Sequence, residues 1–117
     1  MTEQRLDRKA ADNMLAERAA TYAVLYPGLR EVARQHGYAL ALHGTLQKDL
    51  DLLAVPWIDE ASTSDDLAEA LRAHLGGDFV LTSREAPAWS QKPHGRKAWT
   101  IMLRGAGYID LSVMPTR

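Results

Sequence analysis

The sequence predicts a single α+β domain of 117 residues, and three observations predict it. Apolar side chains recur at helical spacing through residues 1–36. Two apolar runs at 38–43 and 49–56 are joined by a short connection, which favours antiparallel pairing. A second pair of runs, 99–104 and 108–114, encloses a glycine-containing turn typical of a hairpin. We therefore expect a mixed or antiparallel sheet with the helices packed on one side.

The N-terminal segment predicts two helices. Pro27 disfavours helical geometry at Tyr26, so we expect a kink or break there. The second helix then starts at Pro27-Gly28 and ends before Gly37, a natural residue after a helix end. Residues 1–25 form a helical N-terminal extension in this interpretation. Its weak amphipathicity leaves two alternatives open: packing on the sheet, or a homodimer formed through the N-terminal helices.

The middle of the chain predicts one capped helix and one irregular segment. Thr63-Ser64-Asp65-Asp66 provides a hydroxyl cap and acidic residues in the first turn of a helix that ends at Gly76-Gly77. Phe79-Val80-Leu81 predicts a short strand. Residues 83–97 contain two prolines and no periodicity, so we expect a long loop. On the last strand, alternation predicts Ile109, Leu111 and Val113 on one face and Asp110 and Ser112 on the other.

Composition excludes several classes of function. A formal net charge of −1 provides no global attraction to nucleic acid or to anionic membranes, so nucleic acid as a partner is left undecided. The chain has no cysteine, which excludes disulfides, zinc–thiolate sites and cysteine nucleophiles. The polar start and the lack of a long apolar run predict a cytoplasmic protein without a membrane segment.

Two aspartates form the most informative motif. Asp49 and Asp51 flank Leu50 and continue into an apolar strand, so both side chains point to the same face. Neighbouring carboxylates beside a hydrophobic core repel each other and need a cation, a shared proton or water. A pair of this kind can hold Mg²⁺ or Mn²⁺, and the alternative is a solvated face. Asp110 lies in a later strand and completes a three-acid site if the two strands are neighbours.

Residues near these acids are candidates for contacting phosphate. Gly44 and Thr45 allow close backbone approach and add a hydroxyl donor, and Lys48 adds a positive charge. His43 is a candidate ligand or base only if the strand register places it on the aspartate face. A basic cluster around Gly95 could attract phosphate oxygens, and the alternative is a solvated loop. Its members are Lys92, His94, Arg96 and Lys97.

The order of these motifs resembles the nucleotidyltransferase superfamily, which includes DNA polymerase beta and the minimal nucleotidyltransferases. That signature is a strand ending in a glycine motif, an acid–hydrophobic–acid strand and a third acid on a later strand. The resemblance implies a nucleotidyltransferase-like fold, two divalent cations and nucleotidyl transfer from a nucleoside triphosphate. By position, Gly44 and Thr45 would meet the phosphates, Asp49 and Asp51 the metals, and Asp110 the acceptor hydroxyl.

A closer resemblance covers residues 26–117 and carries no activity with it. This stretch looks like a group of small phage and bacterial proteins that share an HGS…DLDLIAVPW core and a WTI…YIDLSVMP ending. Only four residues separate Gly44 from Asp49, where nucleotidyltransferases place a longer connection with a short helix. Three alternatives therefore accompany transferase chemistry: a family-like fold with altered or lost catalysis, a non-enzymatic binding or regulatory protein, and a metal-dependent nuclease.

Overall fold

The described part of the chain forms two α-helices and a five-stranded mixed sheet. The computed structural model describes residues 3–76, 89–104 and 107–116, with side chains described from residue 17 onwards. The elements in chain order are α1 Glu3–Gln35, β1 Tyr38–His43, β2 Asp49–Pro56, α2 Ser64–Leu75, β3 Ser90–Gln91, β4 Lys97–Met102 and β5 Tyr108–Val113. These elements confirm the predicted α+β class. The strand predicted at Phe79-Val80-Leu81 lies outside the described residues.

The order of strands places the last strand in the centre of the sheet. The order is β1-β2-β5-β4-β3. The pairs β1–β2 and β4–β5 are antiparallel, as the two short connections predict. The central pair, β2 and β5, is parallel, with Asp51 opposite Asp110. The first residues of β2 and β5 therefore meet at the same end of the sheet, which is the end that carries the acidic residues.

One face of the sheet is covered by both helices. Alternate strand residues on that face are buried, and they pack against buried residues of α1 and α2 in one hydrophobic cluster. The buried residues on this face are Tyr38, Leu40, Leu50, Leu52, Ala54, Ile101, Ile109, Leu111 and Val113 in the strands and Leu103 directly after β4. This confirms that the helices pack on one side. Asp49, Asp51 and Asp110 belong to the opposite face, which the described helices leave open.

Helix α1 runs without interruption through Pro27, so the predicted division into two N-terminal helices is wrong. A proline inside a helix removes one hydrogen bond and costs about 3 kcal/mol. Packing on the sheet offsets this cost. Tyr22 and Leu29 lie on either side of the proline, and both are fully buried. Tertiary packing thus outweighs local propensity here, as it commonly does in helices.

Two tyrosine hydroxyls on α1 attach the helix to the sheet. The Tyr22 hydroxyl donates to the carbonyl oxygen of Lys48 at 3.1 Å, and the Tyr26 hydroxyl donates to that of Leu40 at 2.6 Å. Leu40 belongs to β1, the edge strand, so the second bond occupies a backbone acceptor there. The helix ends as predicted before Gly37, which has a φ of +86°. No described helix combines the length and apolarity needed to cross a membrane.

The structure confirms the predicted start of α2 and partly corrects the predicted loop that follows it. Helix α2 begins as expected, because the Thr63 hydroxyl accepts a hydrogen bond from the backbone N–H of Asp66 at 3.2 Å. The loop predicted at 83–97 is partly wrong. Ser90 and Gln91 pair with β4 as strand β3, and Pro93–Gly95 forms a 3₁₀ turn. Such short elements leave no periodic pattern in the sequence. Residues 83–88 lie outside the described part of the chain.

Candidate metal centre

Three aspartates converge on the open face of the sheet. Asp49 and Asp51 are two residues apart on β2, so their side chains share one face. Asp110 lies directly opposite Asp51 on the parallel neighbour β5. One carboxylate oxygen from each residue can be chosen so that all three oxygens lie within 4.8 Å of one another. All three side chains are partly exposed, so the cluster is open to solvent. The predicted convergence of the three acids is therefore confirmed.

Among the side chains that the structure describes, no ion pair involves the three acids of this cluster. The ion pairs among the described side chains join Glu31 to Arg34 and Glu69 to Arg72, both within helices. Partial burial and the neighbouring carboxyl of Asp49 raise the pKa of Asp51 above its ordinary value of 3.8, and Asp110 adds to this rise. The raised pKa thus reports both the burial of this carboxylate and its repulsion by the neighbouring acids. A cation could bind there and relieve that repulsion.

Gly44 lies directly against the Asp51 carboxylate. A Cβ atom at this position would lie 2.5 Å from Asp51 Oδ2. The residue also has a φ of +82°, a conformation that glycine adopts without strain. The predicted role of Gly44 was close approach to phosphate. The structure shows a close approach of its backbone to a carboxylate of the acidic cluster, so only glycine leaves this carboxylate in its observed place.

A tyrosine of α1 anchors the connection between β1 and β2. The Lys48 carbonyl oxygen accepts a hydrogen bond from the Tyr22 hydroxyl. Gly107 packs against both groups, because a Cβ atom there would lie 2.5 Å from the hydroxyl oxygen and 2.9 Å from the Lys48 oxygen. Lys48 precedes Asp49, and Gly107 precedes Tyr108, the first residue of β5. Burial is the largest cause of the raised pKa of Tyr22, and it keeps the hydroxyl protonated as a donor. One buried tyrosine thus braces the starts of both acid-bearing strands.

The register of β1 decides the open question about His43. His43 pairs with Asp51 in the antiparallel ladder, so its side chain lies on the aspartate face. Across the sheet, Thr100 pairs with Asp110 and is exposed on the same face. The row His43, Asp51, Asp110 and Thr100 therefore crosses four strands. Sequence reasoning alone could not place Thr100, because its partner depends on the register of the hairpin.

The other residues predicted to contact phosphate have different partners in the structure. Thr45 is exposed in the connection before Asp49, and its hydroxyl accepts a 3.4 Å hydrogen bond from the N–H of Gln47. The Arg96 guanidinium donates to Ser112 Oγ at 3.3 Å, two residues along β5 from Asp110. Lys97 lies elsewhere, with its Nζ 4.1 Å from the ring centre of Trp89. The structure thus brings Arg96 towards the acidic face and directs Lys97 to an aromatic ring.

Tyr108 was missed as a residue of this site. It pairs with Asp49 on β5 and is exposed on the same face as the acids. The signal was present in the sequence, since Tyr108 precedes Asp110 by two residues in a strand and must share its face.

The geometry of the site stands without support from known proteins. No family model, no curated protein and no solved structure matches this chain.

Proposed function

We propose that this protein binds a divalent cation, Mg²⁺ or Mn²⁺, at Asp49, Asp51 and Asp110 and uses it in nucleotidyl or phosphoryl transfer. The observation that carries the proposal is the convergence of three carboxylates within 4.8 Å on two parallel strands. Carboxylate oxygens are the ligands that these hard cations prefer, and their remaining ligands are commonly water and substrate phosphates. The nucleotidyltransferase-like arrangement expected from the motif order supports the same chemistry.

The residues take distinct roles in this proposal. Asp49, Asp51 and Asp110 would hold the cation, which would neutralise charge developing on a transferring phosphate. Asp110 would in addition accept the proton of the attacking hydroxyl. That hydroxyl oxygen forms a bond to the α-phosphorus of a nucleoside triphosphate, the bond from this phosphorus to the bridging oxygen breaks, and pyrophosphate leaves. Arg96, which precedes β4 and donates to Ser112 Oγ on β5, would meet phosphate oxygens beside the acids.

Isothermal titration tests the cation site first. Mn²⁺ is titrated into the wild type and into Asp51→Asn, which keeps the shape of the side chain and removes its charge. We expect binding by the wild type that is lost, or weakened at least tenfold, in the variant. Asp59→Asn is the matched control, because Asp59 is an exposed aspartate beyond the other end of β2. Equal Mn²⁺ binding by all three proteins would refute the site.

A second assay separates transfer from cleavage. The protein is incubated with Mn²⁺ and each α-³²P-labelled nucleoside triphosphate, and in parallel with labelled DNA and RNA. Transfer predicts labelled nucleotide joined to an acceptor and release of pyrophosphate. Shortened DNA or RNA without transfer would assign the same acids to hydrolysis. Cation binding with no reaction in either assay would leave a metal-binding protein and refute the transferase proposal.

A further inference from the structure

A tyrosine and a methionine form an exposed surface beside the acidic cluster. Tyr108 pairs with Asp49 on one side and with Met102 of β4 on the other, so the three residues form a row across three strands. The relative exposure of Tyr108 is 36%, and that of Met102 is 43%. Exposed apolar side chains are common singly, whereas these two are adjacent and border the acidic cluster. We call Tyr108 and Met102 the aromatic shelf.

The shelf lies within the reach of a molecule bound at the acids. Neighbouring strands are spaced about 4.8 Å apart, so Met102 lies about 10 Å from Asp49 across Tyr108. Asp110 follows Tyr108 by two residues on the same face of β5, about 7 Å along the strand. The shelf and the three carboxylates are thus parts of one continuous surface, with the charged part at Asp51 and the apolar part at Met102.

The two parts of this surface differ in chemistry. Tyr108 provides an uncharged aromatic face for stacking, in contrast with the carboxylates beside it.

We propose that the aromatic shelf stacks against the base of a nucleotide whose phosphates are bound at the acidic cluster. This rests on the proposed function, since a cation at the three aspartates is what would hold the phosphates. The two parts of the surface match the two parts of a nucleotide: a cation site for the anionic phosphates and an aromatic ring for the flat base. Stacking on one ring is tolerant of base identity, because every base has a π face. The proposed ligand is therefore a nucleoside triphosphate whose phosphates lie at the acidic cluster and whose base lies on the aromatic shelf.

The test compares ATP with inorganic tripolyphosphate in the presence of Mn²⁺, using titration calorimetry on the full chain. Tripolyphosphate has the charged part of ATP and lacks the base. We expect the wild type to bind ATP roughly 5- to 150-fold more tightly than tripolyphosphate, which is the range for stacking on one aromatic side chain. In Tyr108→Leu, ATP affinity should fall to that of tripolyphosphate, while tripolyphosphate affinity stays unchanged.

Two further variants define the role of the ring. Tyr108→Phe keeps the aromatic face and removes the hydroxyl, so it should retain the preference for ATP. Trp57→Leu is the matched control: Trp57 is 63% exposed but follows the far end of β2, so both affinities should match the wild type. Circular dichroism and the unfolding midpoint of each variant establish that it is folded.

The outcomes separate this inference from the proposed function. If the wild type binds ATP and tripolyphosphate equally in Mn²⁺, or if Tyr108→Leu weakens both to the same extent, the stacking role is wrong and the cation site stands. If the wild type binds neither compound with Mn²⁺ present, both proposals are wrong. A preference for ATP that disappears in Tyr108→Leu and survives in Tyr108→Phe supports the shelf.

Discussion

At the scale of single residues, the charge of Asp51 lowers the free energy of unfolding of the cation-free protein. It lies between Asp49 on its own strand and Asp110 on the next, and partial burial and Asp49 raise its pKa. Removing its charge in Asp51→Asn should stabilise the cation-free protein by about 0.5–2 kcal/mol, the usual gain from relieving unfavourable charges. Thermal unfolding in EDTA measures this. Adding Mn²⁺ should reverse the order, since only the wild type gains stability by binding the ion.

The same charge predicts a dependence on pH. Because the folded protein holds the Asp51 proton more tightly than the unfolded chain does, the contribution of Asp51 to stability falls as pH rises from 3.8 through the raised pKa. Urea unfolding in EDTA at a series of pH values should therefore show the wild type and Asp51→Asn with similar stability below about pH 3.8 and a difference that grows above it. A difference independent of pH would mean that the charge of Asp51 is not its cause.

Gly44 offers a second test at this scale. In Gly44→Ala, the new Cβ meets the Asp51 carboxylate and the backbone keeps a positive φ, so we expect lower stability and at least tenfold weaker Mn²⁺ binding. Gly76→Ala is a matched control, because Gly76 has a similar φ of +84° and no atom of the described residues lies within 4 Å of the added Cβ. Both variants should lose stability through backbone strain. Only the first should lose affinity in calorimetric titration.

The two tyrosines of α1 support a prediction at the scale of elements. Tyr22→Phe and Tyr26→Phe each remove one hydroxyl-to-carbonyl bond, and each should cost about 1 kcal/mol in urea unfolding. Their effects on the site should differ. Tyr22 bonds Lys48 beside Asp49, whereas Tyr26 bonds Leu40 within β1. Mn²⁺ affinity should therefore fall in Tyr22→Phe and stay unchanged in Tyr26→Phe; an equal loss in both would contradict the bracing role.

Elements whose signals are local were predicted well from the sequence. The capped helix α2, the two antiparallel pairs and the faces of β5 follow from period, caps and turns. The continuity of α1 through Pro27 was not predictable, because it depends on burial of Tyr22 and Leu29 against strands distant in the chain. The positions of His43 and Thr100 likewise required strand register. For the site, the spacing of Asp49 and Asp51 predicted a carboxylate pair. That Asp110 joins them depends on the parallel pairing of β2 with β5, which only the structure shows.

At the scale of the whole molecule, α1 is both a core element and a projecting one. A helix of 33 residues is about 50 Å long, and the molecule is 59 Å in its longest dimension. The buried residues among the described side chains of α1 begin at Tyr22. Deleting residues 1–25 removes Tyr22 and should unfold the protein, because losing one large buried side chain costs about 3–5 kcal/mol.

Deleting residues 1–16 instead retains every buried side chain that the structure describes, so this shorter protein should keep its fold by circular dichroism. Loss of folding in the shorter protein would place a core contact before Glu17. Light scattering on it also tests the homodimer through the N-terminal helix. A mass that falls by half relative to the full chain, with the fold retained, would assign the subunit contact to the first 16 residues.

The position of β5 has a consequence for synthesis. This central strand is translated after the other four, so until it emerges from the ribosome β2 and β4 each lack their shared neighbour and present unpaired edges. Such edges invite pairing with other chains. Asp110 arrives on the same late strand, so a cation could engage the complete carboxylate set only after the sheet has closed. Metal occupancy would then report that β5 has been translated and has joined the sheet.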